Sequence, residues 1–261
     1  MLTNGIWTFG LNRYDFWRFF GPLPKPPEAA YVRDPDRALS ALIAEYRTQP
    51  GERRTLHNMV SFAFIFCRLD SLSDVMSHDD WDSQPSGLLF RAWLRYYRAL
   101  AENPESPDSA SLDKAAADLD VARGFDESYF DAQAGLVRIM CLKEGIKAAK
   151  RLLKPMEISA WTRYRRAGLP DAAGARLFLA DFPGVSQSGK RRHLRHARRM
   201  LFGALSVIPR SGNSDEREEL TLILAEVETR LGRGKAALHH LVQLSRQGSL
   251  EAQCLLLGHD V

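Results

Sequence analysis

The sequence has no apolar run that could cross a lipid bilayer, and it has few cysteines. Its longest apolar stretch, residues 59–67, already contains Ser61, whereas a membrane-spanning helix needs roughly 20 apolar residues. The first residues lack the basic flank and the apolar segment of a secretory signal. Cys67, Cys141 and Cys254 each stand among apolar residues with helical periodicity. We therefore expect a cytoplasmic protein whose thiols are free and buried.

The sequence also lacks the short motifs of common catalytic and metal sites. It contains no G-x-S-x-G, no glycine-rich phosphate-binding loop and no H-E-x-x-H. The acidic residues that follow His78 match no calcium loop and are explained by helix capping. His193 with His196, and His239 with His240, have no Cys or Glu at zinc-site spacing. We expect no catalytic activity, no metal and no cofactor.

No segment shows the alternation of apolar and polar residues that marks a half-buried strand. Apolar residues recur at helical spacing instead, as in Leu39, Leu42, Ile43 and Tyr46. Pro155 is expected to end one helix, and residues 158–167 to form the next. Helices joined by short connectors follow one another along the chain, which predicts an all-α fold.

The clearest helix pair lies in the last third of the chain. Residues 220–231 and 235–246 have helical periodicity, and the Gly-Arg-Gly sequence between them predicts a turn. Ala225 and Ala237 are small residues at the positions where two such helices must touch. A pair of this kind cannot bury its apolar faces alone, so we expect it to stack on neighbouring pairs.

This pair resembles a tetratricopeptide repeat, a helix-turn-helix unit of about 34 residues. Leu224, Ala225, Ala237 and Leu241 match its large, small, small and large positions. The residues that replace its Trp, Tyr and Pro are Thr221, Glu228 and Ser249. The resemblance implies an α-solenoid with a concave surface for peptides or protein segments. We predict an array of antiparallel helical hairpins; the alternative is a generic hairpin array that shares only the spacing.

Composition distinguishes three segments. Residues 1–27 contain seven aromatic side chains and a Pro-rich connector. Residues 28–183 form the predicted hairpin array, and residues 184–261 contain a basic helix and the repeat-like hairpin; the alternative is one continuous domain. We expect the aromatic segment to cap the open apolar end of the helical stack, because aromatic side chains stabilise a protein when they are buried.

The net charge of +4 conceals a strong asymmetry along the chain. Residues 70–131 carry 5 Lys and Arg against 14 Asp and Glu, a net charge of −9. Residues 138–199 carry 16 against 4, a net charge of +12. Either these segments pair inside the fold, or the basic one offers a surface to an acidic partner. Arg outnumbers Lys 28 to 8, a bias typical of GC-rich bacterial genomes.

The basic segment contains a predicted amphipathic helix over residues 188–207. Leu194 and Leu201 belong to its apolar face, and five arginines form the opposite arc. Arginine side chains bind phosphate or carboxylate oxygens, so the arc is our primary candidate for a partner-binding site. The alternative is a solvated or internally paired face. The arginines of the arc are Arg191, Arg192, Arg195, Arg198 and Arg199.

A secondary candidate interleaves aromatic residues with arginines. Trp161 and Tyr164 alternate with Arg163, Arg165 and Arg166, and aromatic side chains in a basic groove can stack nucleic-acid bases. The two aromatic residues are three positions apart, however, which is the spacing of one buried helix face. We therefore expect Trp161 and Tyr164 in the core, and we find no accompanying RNA-binding motif.

The sequence as a whole predicts a non-catalytic adaptor or scaffold that binds another protein. Helical repeats usually bind macromolecules, and the basic arc favours an acidic partner. The alternative is a nucleic-acid-binding protein that uses the basic tract 163–199.

Overall fold

The computed structural model contains helices, and no strand, in the part of the chain that it describes. The all-α prediction is therefore confirmed for that part. The chain divides into two compact units, Met1–Gly135 and Leu136–Val261, and the predicted boundary after residue 183 lies inside the second unit. The structure describes residues 35–48, 63, 68–72, 75, 85–103, 106–126, 129–162, 168–208 and 214–257.

Ten α-helices have bounds within the described residues, and a short 3-10 helix spans Leu69–Leu72. None of these helices is both long and apolar enough to cross a membrane. The α-helices are α1 (Pro35–Thr48), α2 (Pro85–Glu102), α3 (Ser109–Ala122), α4 (Tyr129–Glu144), α5 (Ile146–Ala160), α6 (Leu169–Asp181), α7 (Gln187–Leu205), α8 (Ser214–Arg230), α9 (Gly234–Arg246) and α10 (Leu250–Leu257).

In the first unit, α2 packs against α3 and contributes an aromatic cluster to the core. Trp93, Tyr96 and Tyr97 are buried, and their ring centroids lie 5.2 to 5.6 Å apart. Helical spacing brings the three rings to one side of α2, and such aromatic contacts stabilise a core beyond the area that they bury.

Two acidic residues of the first unit accept hydrogen bonds from residues of the same segment. Asp118 of α3 accepts hydrogen bonds from Nε and Nη2 of Arg91 at 3.0 and 2.7 Å, and another from Arg95. The Asp108 carboxylate caps α3 by accepting the Ser111 amide at 2.8 Å. Part of the negative charge of residues 70–131 is thus balanced by arginines of the same segment.

In the second unit, each helix from α5 to α9 packs against the helix that follows it. Helix α6 is the most enclosed, because only Arg176 and Asp181 among its residues are not buried. Contacts between sequence neighbours are those that helical hairpins make. Their arrangement as a solenoid stays a prediction.

The turn between α8 and α9 agrees with the sequence prediction. Gly232 has a φ of 76°, a left-handed conformation that favours glycine. Ala225 and Ala237 are buried in one cluster with Leu241 and Leu244. The prediction that the two alanines lie at the contact between these helices is therefore confirmed, whereas the relation to tetratricopeptide repeats stays a prediction.

The sequence prediction is wrong at the end of α5. A helix end was expected at Pro155 and a new helix over residues 158–167, but α5 continues through Pro155 to Ala160. Proline removes the amide that would bond to the Arg151 carbonyl. Both Arg151 and Pro155 are exposed, so water can satisfy that carbonyl instead.

Candidate interaction surface

Helix α7 carries the candidate arginines and has one buried side. The Ser186 hydroxyl caps the helix by accepting a hydrogen bond from the Gly189 amide at 3.2 Å. Leu194 and Leu201 are buried, as predicted, and α7 packs against both α6 and α8. The helix that presents the arginines is therefore held on its apolar side by two neighbours.

Arg198 differs from the other arginines of the arc because it forms an ion pair with a described residue of the fold. Its Nε donates a hydrogen bond to Oε1 of Glu228 on α8 at 2.6 Å, and the Glu228 side chain is 0% exposed. The guanidinium also lies over the Phe202 ring, 4.7 Å from its centroid. Arg198 is thus half-buried and joins α7 to α8, so we remove it from the candidate partner-binding residues.

Four of the five arginines of the arc are exposed, as expected, and one of these four, Arg199, lies over the Trp161 ring. Arg191, Arg192 and Arg195 are exposed, and none forms an ion pair with a residue that the structure describes. We call these three residues the basic face of α7. Arg191 and Arg195 stand one helical turn apart, where like charges repel. A surface with such uncompensated charge attracts a negatively charged partner.

A hydrogen-bonded chain of three charged or titratable residues links α5, α6 and α7. Arg176 donates Nε and Nη2 to the two carboxylate oxygens of Glu157, at 2.5 and 2.6 Å, in the bidentate geometry typical of arginine. Its Nη1 lies 3.2 Å from Nδ1 of His193. Because a guanidinium only donates, Nδ1 is the acceptor. His193 is therefore neutral, with its proton on Nε2.

Burial and nearby cations lower the pKa of both histidines of α7. Burial first, and then the nearby cations Arg176 and Lys150, together lower the pKa of His193 to about 4. Partial burial and the charge of Arg176 likewise lower the pKa of His196, Glu157 opposes this effect, and Arg199 and Arg192 add to it. Cations from α5, α6 and α7 thus act on the same region of the second unit.

A groove lies between α5 and α7 beside these groups. Its volume is about 230 Å³, below the roughly 300–1,000 Å³ of typical small-molecule pockets. It therefore suits a single side chain better than a cofactor. Helix α5 and its cap contribute Lys154, Glu157, Ile158 and Trp161, and α7 contributes His196, Arg199 and Met200.

Trp161 lies in this groove, which corrects the prediction that it belongs to the core. Helix α5 ends at Ala160, so Trp161 is the cap residue and its side chain is 36% exposed. The Arg199 guanidinium lies over the ring, 5.2 Å from its centroid. A Cβ at Gly203 would lie 2.9 Å from Cη2 of the same ring. The absence of a side chain at Gly203 thus lets Trp161 pack against α7.

Several predicted features lie outside the described residues. They include the aromatic segment and connector at 1–27, the acidic residues that follow His78, and the secondary candidates Tyr164, Arg165 and Arg166. Within the described ranges, no group of three His, Cys, Asp or Glu residues is placed to hold a metal ion.

One of the three predicted free thiols can be checked. Cys141 is free and buried, as expected, and burial raises its pKa to about 12. The side chains of Cys67 and Cys254 lie outside the described part. Because the thiolate is the nucleophilic form of cysteine, a thiol with this pKa is unreactive at neutral pH.

Sequence reasoning missed the α5 side of the groove, although a signal for it exists. Lys154, Glu157, Ile158 and Trp161 stand at i, i+3, i+4 and i+7, which places them on one face of a continuous helix. The expectation that Pro155 ends the helix concealed this spacing.

Comparison of the chain with protein-family models, with curated proteins and with solved structures found no match. Inferences about function therefore rest on the charges and geometry of α7 and its neighbours.

Proposed function

We propose that the protein is a non-catalytic adaptor or scaffold that binds an acidic segment of another protein across the basic face of α7. The supporting observation is that Arg191, Arg192 and Arg195 are exposed and have no acidic partner among the described residues. Their helix is held by α6 and α8. A face fixed in advance loses little conformational freedom when it binds a partner.

The fold and the location are part of the same proposal. The packed neighbours α5 to α10 would form an α-solenoid related to tetratricopeptide repeats, a class that binds protein segments. A cytoplasmic location fits the free thiol of Cys141, because that compartment keeps thiols reduced.

The nucleic-acid alternative, which uses the tract 163–199, is less well supported by the surroundings of Trp161. Proteins that bind single strands offer free aromatic faces to the bases. One face of Trp161 lies under its own Arg199, and the ring edge packs near Gly203. An acidic protein segment needs cations that bind its carboxylates rather than a stacking platform. The basic face supplies these cations.

The proposal is tested by selecting ligands from a displayed library of random peptides on the purified protein. We expect the selected peptides to be enriched in Asp and Glu, and their binding to weaken as salt is raised. The same peptides should not bind the variant Arg191→Glu/Arg195→Glu. Selection without acidic enrichment, or equal binding to this variant, would contradict the proposal.

A matched control has the same change in net charge at another place. Lys235 and Arg246 are exposed on α9. The variant Lys235→Glu/Arg246→Glu should bind the selected peptides as tightly as the wild type does. A single-stranded RNA homopolymer is titrated in parallel. RNA that binds more tightly than the peptides, and that depends on Arg191 and Arg195, would show that the nucleic-acid alternative is correct.

A further inference from the structure

We infer that the groove between α5 and α7 receives one apolar side chain of the acidic segment, so that the ligand is an extended peptide with a Leu-, Met- or Phe-like residue among Asp and Glu. This inference rests on the proposed function. It adds the apolar residue of the ligand that would give the interaction its specificity. Three features support it: the apolar wall of the groove, its charge, and its distance from the basic face.

The apolar wall consists of two side chains that are left in contact with water. Ile158 is 63% exposed and Trp161 is 36% exposed, and both line the same groove with the buried Met200. A single exposed apolar residue needs no explanation. Two that face one cavity of this size can be covered together by a single inserted side chain, which removes apolar surface on both partners from water.

The charge of the groove favours acidic residues next to the apolar residue of the ligand. Lys154 and Arg199 contribute two cations to its lining. The one carboxylate among the lining residues, that of Glu157, already accepts two hydrogen bonds from Arg176. Its negative charge is therefore balanced, and the groove favours carboxylates next to the apolar side chain.

The groove and the basic face are continuous along α7. Arg192, His196 and Arg199 stand at i, i+4 and i+7, so one side of the helix connects the two sites. The distance along the axis from Arg192 to Arg199 is about 10 Å, which an extended peptide covers in about three residues. We therefore expect carboxylates about three residues from the apolar side chain.

The experiment compares two synthetic Asp-rich peptides that differ only at the central residue, Leu in one and Ser in the other. We expect the wild-type protein to bind the Leu peptide about tenfold more tightly, by calorimetric titration. Ile158→Ser should abolish this difference and leave the affinity for the Ser peptide unchanged. Leu238, 52% exposed on α9, supplies the control: Leu238→Ser should retain the preference.

A second readout shows whether the groove itself is occupied. With ¹³C-labelled Ile and Met methyl groups, the Ile158 signal should shift on titration with the Leu peptide and not with the Ser peptide. Equal affinity for both peptides would overturn the groove inference and leave the basic face intact. Binding of neither peptide would overturn both proposals. Displacement of the Leu peptide by RNA, with a shift of the Ile158 signal, would assign the groove to nucleic acid instead.

Discussion

Replacing Arg198 by Ala should destabilise the protein strongly, although Arg198 belongs to a run of surface arginines. Its Nε is 2.6 Å from Oε1 of Glu228, whose side chain is 0% exposed. Oε2 of the same carboxylate accepts no hydrogen bond from the described residues, and a second cation, Nη1 of Arg233, is 3.9 Å from it. Without Arg198 the protein would contain a buried carboxylate that has lost its closest partner.

Breaking a buried ion pair by removing one partner costs about 3–5 kcal/mol. Arg198 itself is 31% exposed, so water screens part of the interaction and we expect the lower end, about 3 kcal/mol. Urea unfolding followed by circular dichroism should show a lower midpoint with an unchanged m-value. In the double variant Arg198→Ala/Glu228→Gln, the loss should be about 1–2 kcal/mol smaller, because no charge is then left buried.

Arg195→Ala is the matched control, since Arg195 is exposed on the same helix and has no ion-pair partner among the described residues. Its stability should stay within about 0.5 kcal/mol of the wild type. If Arg198→Ala and Arg195→Ala have the same urea midpoint, the pair with Glu228 does not join α7 to α8, and the division of the arginines into structural and binding residues is wrong.

Ala225→Leu and Ala237→Leu should each destabilise the protein by about 1–3 kcal/mol, because the added atoms overpack the contact between α8 and α9; an unchanged Tm for both would contradict this packing. The free energy of unfolding should fall by up to about 3 kcal/mol as pH drops from 6.5 towards 4, because unfolded His193 takes up a proton in this range and folded His193 does not. His193→Gln should lose that part of the acid sensitivity in urea unfolding at the two pH values. Gly203→Ala should lower Tm by displacing Trp161, even though Ala favours a helix over Gly by about 1 kcal/mol; a Tm equal to or above the wild type would show that the ring has room.

Features that depend on one segment at a time could be predicted from the sequence. The 3.6-residue period alone places Leu194 and Leu201 on the buried side of α7 and Arg191 on the other. The sizes of Ala225 and Ala237 similarly indicate where α8 and α9 meet. These predictions are correct because the apolar side of a helix is a property of its own sequence.

Features that depend on how segments meet could not be predicted in the same way. Arg195 and Arg198 both belong to the polar arc that the helical period of α7 predicts. Only Arg198 is hydrogen-bonded to Glu228, which lies 30 residues further along the chain. Its position depends on the packing of α8 on α7. Pro155 shows a related difficulty, because a proline ends a helix unless the freed carbonyl can reach water, and exposure is a property of the fold.

The central claim is that Arg191 and Arg195 bind an acidic partner rather than only keeping the surface hydrated. It is tested most directly by calorimetric titration of one selected acidic peptide into the wild type, Arg191→Glu/Arg195→Glu and Lys235→Glu/Arg246→Glu, with the Tm of each measured alongside. The account predicts that reversal on α7 weakens binding at least about tenfold, that reversal on α9 changes it less than about twofold, and that Tm is unchanged in both. Equal losses in the two variants, or no loss in either, would contradict it.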